Sequence, residues 1–232
     1  YGDLDTGRSP LLLEGWRPWI AVLLVGAAGG LLGGGFSRLL LICMPTVSRW
    51  IRRRKVLAAL GIGLAIAAIG LVSDGQSYGS GFGQARALLV EGSPAYAETL
   101  DSETRAEWSE IRGEVGPLYP LFRAAATFLV LLTAIPGGLF DPSFSVGAGL
   151  GAAAFPLLSW TGIGLQAVLL LFIASYFSGV VQSPMTSFVI LLEMTGVLLF
   201  SLPLAAAAIV AYAASRLVCP TQIGRASCRE RV

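Results

Sequence analysis

The sequence predicts an all-α polytopic membrane protein. Of its 232 residues, 55% are hydrophobic and only 13% are charged, whereas soluble domains carry about a quarter charged residues. Between Ala124 and Ser215 the only charged residues are Asp141 and Glu193, which leaves room for about four spans of about 20 residues. The apolar runs are continuous and rich in Ala, Leu and Gly, so they favour helices over the alternating segments of a membrane β-barrel.

The composition excludes several classes of function. The chain has no histidine, which removes Ser–His catalytic pairs, HExxH-type metal sites and haem ligation by histidine. Its cysteines, Cys43, Cys219 and Cys228, show no spacing that suggests a metal site or a disulfide framework. No basic stripe alternates with aromatic residues, as expected of a nucleic-acid-binding surface. We therefore expect no enzymatic activity, no metal, no cofactor and no nucleic-acid partner.

The chain divides into four parts by composition. Residues 1–16 are expected to be the end of an upstream loop, because Tyr1 is not a start Met and no signal peptide precedes the first apolar run. Residues 17–222 form the expected transmembrane region. Within it, residues 91–116 hold seven acidic residues and two arginines, which predicts a polar loop or surface helix outside the membrane. Residues 223–232 change composition abruptly and are interpreted as a truncation scar or appended sequence.

The first apolar segment runs from Pro18 to Ser37 without charge and continues past Arg38 to Met44. Small residues at spacings of three and four let helices approach closely, either within a chain or at a subunit interface. The glycines with this pattern are Gly26, Gly29, Gly30, Gly33, Gly34 and Gly35. The basic run at 49–55 follows, and the positive-inside tendency favours a cytoplasmic loop there.

The next segments alternate apolar helices with breaks. Val56–Ser73 is a second span, followed by a glycine-rich irregular turn at 74–83 and a short helix at Gln84–Val90. The turn carries no Lys at the position that a phosphate-binding P-loop requires. Pro117–Ile135 is a third span, in which Arg123 is expected to extend its side chain to the membrane interface.

Further apolar helices are predicted in the C-terminal half. They cover Phe144–Ser159, Leu165–Val181, a segment that begins at Pro184 and ends near Thr195, and a last span from Pro203 to Arg216. The sequence Gln182-Ser183-Pro184 separates two of them, since Pro suits the first turn of a new helix.

Seven residues, Pro136 to Pro142, interrupt this apolar sequence. Main-chain N–H and C=O groups have no water partners in a bilayer, so non-helical chain persists only where protein buries it or where it lines a polar cavity. The residues after Gly137 and Gly138 can open a new helix, whose N-terminus carries free N–H groups and the positive end of the dipole. Such an end favours an anion.

The break at Ser183–Pro184 is the second of this kind, and broken helices with half-helix N-termini hold charged substrates in transporters. A cation site would instead require acidic side chains among the spans, where only Asp141 and Glu193 are available. Asp141 is placed in the first turn of the new helix, where a carboxylate complements the dipole. Glu193 is either a functional intramembrane acid or a polar residue that caps a helix end.

Three blocks of sequence resemble the CLC family of chloride channels and proton/chloride antiporters. Pro-Gly-Gly-Leu-Phe-Asp-Pro at 136–142 resembles the family's GxFxP anion-binding segment. Gln-Ser-Pro-Met-Thr at 182–186, followed by Leu-Glu-Met-Thr at 192–195, resembles its R-A-P-L-T and L-E-M-T segment. Gly-Ser-Gly-Phe at 79–82 resembles the glycine-rich turn after its long tenth helix. Order and spacing agree across residues 17–220.

The resemblance implies a CLC-like inverted-repeat helical bundle with broken and re-entrant helices. The chain would cover about half a subunit, comprising the ninth helix and nearly all of the second repeat. The full protein would be a homodimer with one pore in each subunit. The first span and the segments from Ser183 and from Ser201 would lie at the dimer interface.

The resemblance also implies a site. Gly137, Gly138, Leu139 and Phe140 would surround the anion, with the main-chain N–H groups of Leu139 and Phe140 as donors. The prolines that would shape the helix breaks are Pro136, Pro142 and Pro184. The chain departs from the family's pattern at Asp141, where the family has Ala, and at Gln222, where the family has a pore tyrosine.

The expected function is chloride transport across the plasma or inner membrane, by a channel or by an antiporter that also carries protons. Chloride is the transported ligand, and the lipid bilayer and a second subunit are the other partners. A secondary transporter for an organic anion is an alternative, since it also uses broken helices. A further alternative is that the isolated chain is inactive, because the family's GSGxP and GxEGP motifs do not occur in it.

Overall fold

The computed structural model describes residues 16–91, 106, 109–111, 115–133, 138–195 and 200–220. Within these ranges the chain is helical and contains no strand, which confirms the predicted all-α class. The helices, in chain order, are α1 (Arg17–Arg53), α2 (Lys55–Val72), α3 (Phe82–Glu91), α4 (Tyr119–Leu132), α5 (Phe140–Leu158), α6 (Leu165–Val181), α7 (Pro184–Thr195) and α8 (Ser201–Val218). A short 3-10 helix, Ser159–Thr161, follows α5.

Helices of two lengths make up this architecture. In the described part of the chain, 4 helical segments are long and apolar enough to cross a membrane, and they correspond to α1, α2, α5 with its 3-10 extension, and α8. The helices α4, α6 and α7 are apolar but shorter. Short apolar helices that begin or end inside a bundle are typical of transporters with broken helices, as the sequence predicted.

Helix α6 forms the centre of the bundle. Its residues from Gln166 to Val180 are all buried, and it packs against α1, α5, α7 and α8. A helix that is apolar on every side must be covered on every side, and here the cover is provided by neighbouring helices. By contrast, α2 exposes large apolar side chains, including Leu60 and Leu64, as expected of a helix whose surroundings are lipid.

The glycines of α1 bring it close to α6 and α8 of the same chain. A Cβ atom at Gly29 would lie 2.5 Å from the Cβ of Ser175, and one at Gly34 would lie 2.9 Å from the Cα of Ser215. Among the six, Gly35 alone has no described residue within 4 Å. Of the two interpretations of these glycines, the contacts support packing within the chain, because the chain's own helices occupy the face of the other five. The homodimer itself remains a prediction.

The basic run after the first span does not form the predicted loop. Helix α1 continues through Arg53, α2 begins at Lys55, and Arg54 alone joins them, with φ −140° and ψ 64°. Arg and Lys have high helix propensity, and no Gly or Pro occurs between Thr46 and Arg53 to end the helix. The exposed charges of Arg53, Arg54 and Lys55 therefore lie at a sharp helix–helix junction.

The break after α6 is as predicted. Gln182 adopts a left-handed conformation with φ 56°, and α7 begins two residues later at Pro184. The amide of Ser187 donates to the carbonyl of Ser183 at 3.1 Å, which closes the first turn of α7. The side-chain amide of Gln182 donates to the carbonyl of Cys219 at 2.5 Å, so the break is attached to the chain just after α8.

Candidate functional site

The candidate anion site is the N-terminus of α5. This helix begins at Phe140, with Leu139 as its N-cap and no side chain bonded to the cap. The amide of Ser143 donates to the carbonyl of Leu139 at 3.2 Å, and Pro142 has no N–H group. Helix geometry therefore leaves the N–H groups of Phe140 and Asp141 without an acceptor in the helix, at the positive end of its dipole.

The start of α5 is accessible. Gly138 is exposed, Leu139 is half-buried and the side chain of Phe140 is 46% exposed. A Cβ atom built on Gly138 would meet nothing within 4 Å among the described residues. A ligand could therefore approach the first-turn N–H groups directly. The other predicted residues of the break, Pro136 and Gly137, lie outside the described residues.

Aromatic packing holds the first turns of α5 against α6. The ring of Phe177, which is 0% exposed, lies with its centroid 5.0 Å from that of Phe140 and 5.2 Å from that of Phe144. The Phe144–Phe177 pair is edge-to-face, at 88°, an arrangement that aromatic quadrupoles favour. The sequence did not identify Phe177 as part of the site, because one Phe in an apolar helix carries no distinguishing pattern.

Asp141 lies in the first turn of α5, as predicted. Its side chain is exposed, so its carboxylate is not buried among the groups that would hold an anion. A carboxylate at this position stabilises the helix through the dipole but also repels an anion nearby. The charge of Arg123, on α4, is opposite in sign and interacts electrostatically with that of Asp141.

Arg123 lies beside this end of α5 and does not reach the membrane interface. The prediction that its side chain extends to the interface was wrong, since only 3% of it is exposed. Its guanidinium instead donates to the carbonyls of Ser77 at 2.8 Å and of Gly79 at 2.7 Å in the turn after α2. Main-chain carbonyls inside the protein thus replace the water that the charge would otherwise require.

A hydroxyl pair links α4 to α5. The hydroxyl groups of Tyr119 and Ser145 are hydrogen-bonded to each other, and both side chains are buried. Arg123 lies one helical turn after Tyr119 in α4, and Asp141 lies one turn before Ser145 in α5. Residues four apart lie on the same face of a helix. Arg123 therefore lies on the face of α4 that carries Tyr119, and Asp141 lies on the face of α5 that carries Ser145.

The helices that follow the two predicted breaks have different principal neighbours among the described helices. Pro184 begins α7, whose principal contacts are with α6 and α8, whereas those of α5 are with α3, α4 and α6. Glu193 lies near the C-terminal end of α7 and is exposed. The structure therefore brings Gly138, Leu139, Phe140, Asp141 and Pro142 together at one helix end, and leaves Pro184 and Glu193 on a separate helix.

The sequence matches one family of known proteins. A protein-family model described as "Voltage gated chloride channel" matches residues 11–216, a range that extends from before α1 into the last turn of α8. A comparison with curated proteins gave no match. The family match confirms the resemblance found in the three sequence blocks. It also supports an integral membrane protein that acts in anion transport and not as an enzyme.

Proposed function

Because the chain belongs to the voltage-gated chloride channel family, we propose that it transports chloride and that the N-terminus of α5 forms one side of the anion site. The observation that carries this proposal is the first turn of α5. Leu139, Phe140 and Asp141 offer main-chain N–H groups there, Pro142 ends the series, and no side chain caps the turn. Chloride would exchange part of its hydration shell for these donors and for the helix dipole.

The charge distribution favours an anion over a cation at this site. Within the described part of the chain, no group of three or more His, Cys, Asp or Glu side chains could hold a metal ion. The two acids of the apolar half, Asp141 and Glu193, lie on different helices and are exposed. Cation sites in membranes require oxygen ligands that converge, and these acids do not.

We further propose that the protein acts as a homodimer in the plasma or inner membrane. Transport of chloride is either passive or coupled to protons, and one measurement separates the two. In liposomes with a chloride gradient and no initial pH gradient, an antiporter moves protons across the membrane and creates a pH difference, whereas a channel does not. A pH-sensitive dye inside the liposomes reports the difference.

The site is tested with two substitutions at Phe140, in the longest natural chain that contains these residues. Phe140 is the first helical residue, a position that Pro favours, so Phe140→Pro removes one N–H donor from the first turn. It also disfavours the αR conformation of Leu139, whose φ is −94° and ψ is −16°. Phe140→Ala removes the ring and keeps the donor. A hydrogen bond to a charged group contributes about 1.5–3 kcal/mol, so we expect Phe140→Pro to weaken chloride binding about 10- to 100-fold.

A third variant, Gly138→Val, tests access to the same end of α5. No described residue lies within 4 Å of a Cβ atom at Gly138, so a valine there would add bulk beside the first turn of α5 without a clash in the described part of the chain. Chloride flux should fall in this variant and in Phe140→Pro, and should fall less in Phe140→Ala. Unchanged chloride flux in Gly138→Val and Phe140→Pro would overturn the site, and strong inhibition of chloride flux by organic acids would instead favour an organic-anion transporter.

A further inference from the structure

Within the described residues, the charge of Arg123 is buried without an ionic partner in contact. Its guanidinium donates to the carbonyls of Ser77, Tyr78 and Gly79 at 2.8, 3.3 and 2.7 Å, and its Nε has no hydrogen-bond partner in the described part of the chain. No carboxylate in the described residues forms a salt bridge with it. Neutral carbonyl dipoles stabilise the cation but do not cancel its net charge, so its field extends to the neighbouring helices.

The turn after α2 fixes the position of this charge. Gly79 and Gly81 have φ of +70° and +80°, and three successive carbonyls of this turn accept from one guanidinium. A Cβ atom on Gly81 would lie 2.9 Å from the Nε of Arg123 and 2.7 Å from the Cβ of Ser145. Gly81 therefore lies between Arg123 and α5, and its lack of a side chain allows the guanidinium to approach α5.

The charge is close to the anion-facing end of α5. Ser145, which is bonded to Tyr119, lies one helical turn from Asp141, a distance of about 6 Å along the helix axis. Arg123 and Asp141 interact electrostatically, although Asp141 is exposed and Arg123 is buried. A unit charge that is held in a low-dielectric region acts more strongly on its surroundings than one in water.

We propose that Arg123 is a positioning residue for the anion site, which holds the turn after α2 against α5 and offsets the negative charge of Asp141. The inference rests on the proposed function. It explains how an aspartate occupies the first turn of a helix that binds an anion. With Arg123 present, Arg123 and Asp141 together add no net charge at the start of α5. The helix dipole and the N–H groups then determine the sign of the charge that a ligand carries.

The test is a charge-rescue cycle, measured as chloride flux in liposomes and as the chloride concentration for half-maximal flux. Arg123→Gln leaves Asp141 uncompensated and is expected to lower apparent chloride affinity roughly tenfold, the effect of one unit charge about 12 Å from the anion at an effective dielectric constant of about 20. Adding Asp141→Asn removes that negative charge and is expected to restore affinity to within about threefold of the unmodified protein. A purely structural role of Arg123 predicts no such rescue.

Arg38 is the matched control, because it also donates to a main-chain carbonyl, that of Val218 at 3.2 Å, but is exposed and lies on α1. Arg38→Gln should not change chloride affinity, whether it is introduced into the unmodified protein or into the Asp141→Asn variant. If Arg123→Gln does not fold, Asp141→Asn alone still tests the pair, since removal of the acid should raise apparent chloride affinity. Absence of rescue, or an unchanged or lower affinity in Asp141→Asn, would overturn the inference.

The two proposals fail in different ways. If the unmodified protein carries no anion flux, the proposed function is overturned and this inference falls with it. If the unmodified protein carries chloride but Asp141→Asn does not rescue Arg123→Gln, only the role of Arg123 is overturned.

Discussion

Gly30 of α1 lies against the main chain of Ala211 of α8, so closely that a Cβ atom on the glycine would overlap the alanine's carbonyl oxygen, Cα and carbonyl carbon. Contacts between small residues are a main source of helix association in membranes, because lipid offers no hydrophobic driving force between helices. The same face of α1 also meets α6. One glycine-lined surface thus joins the first long helix to the centre and to the last helix of the bundle.

Gly30→Ala is therefore expected to destabilise the protein. The added methyl group has no space beside Ala211, and overpacking typically costs about 1–3 kcal/mol. Gly35→Ala is the control on the same helix, since its Cβ would meet nothing within 4 Å and alanine has the higher helix propensity. Thermal unfolding in detergent should show a lower midpoint for Gly30→Ala only. Equal midpoints in the two variants would contradict the packing described above.

The turn after α2 offers a second matched pair. Gly81→Ala and Gly79→Ala both place a side chain at positive φ, which costs about 1–2 kcal/mol in each variant. The Cβ at Gly81 would also collide with Ser145 and Arg123, whereas the one at Gly79 would meet no described residue within 4 Å. We expect Gly81→Ala to be the less stable of the two and to lose more chloride flux. A greater loss in Gly79→Ala would show that the turn does not pack on α5 in this way.

Two features of Gln182 affect stability at the break between α6 and α7: its side-chain hydrogen bond and its left-handed backbone conformation. Gln182→Ala retains positive φ and removes the hydrogen bond to the Cys219 carbonyl, a loss of about 1–3 kcal/mol for a buried group. Gln182→Gly removes the same bond but relieves the left-handed conformation by about 1–2 kcal/mol. Chemical denaturation should therefore rank Gln182→Gly above Gln182→Ala in stability. The reverse order would mean that the backbone at this break is not under conformational strain.

Phe177 links stability to the proposed anion site. Truncation of a fully buried Phe to Ala costs about 3–5 kcal/mol. Phe177→Ala would also remove the ring that packs against Phe140 and Phe144 at the start of α5. We expect lower thermal stability and lower chloride flux at a temperature where the variant is still folded. Leu157→Ala, at an exposed position at the other end of α5, is the control and should change neither quantity appreciably. Normal flux in folded Phe177→Ala would show that the aromatic contact does not position the site.

The helix breaks were predictable because their causes are local. Pro184 starts α7 and Pro142 lies in the first turn of α5, positions that proline's fixed φ and missing N–H favour in any context. The bounds Leu165–Val181 for α6 were predicted without change, since Gly164 and the Gln182-Ser183-Pro184 sequence delimit an apolar run. The prediction was less accurate for α1, where the positive-inside tendency was taken to indicate a loop although Arg and Lys are compatible with a continuing helix.

Residues whose role depends on distant partners were not predictable. Arg123 was expected at the membrane interface because it lies near the start of an apolar segment, and nothing nearby in sequence reveals the carbonyls at 77–79. The glycines of α1 showed that a close contact exists but not which helix makes it.

The sequence by itself determined the fold class, the membrane setting and the helix end that presents free N–H groups, because hydropathy, proline and glycine act through their immediate neighbours. Only the tertiary structure decided that Arg123 is buried against the turn after α2, that Phe177 supports the first turn of α5 and that the glycines of α1 face their own chain. Burial and electrostatic pairing depend on which segments meet in space. Residues 46 positions apart, such as Ser77 and Arg123, meet only when the chain has folded.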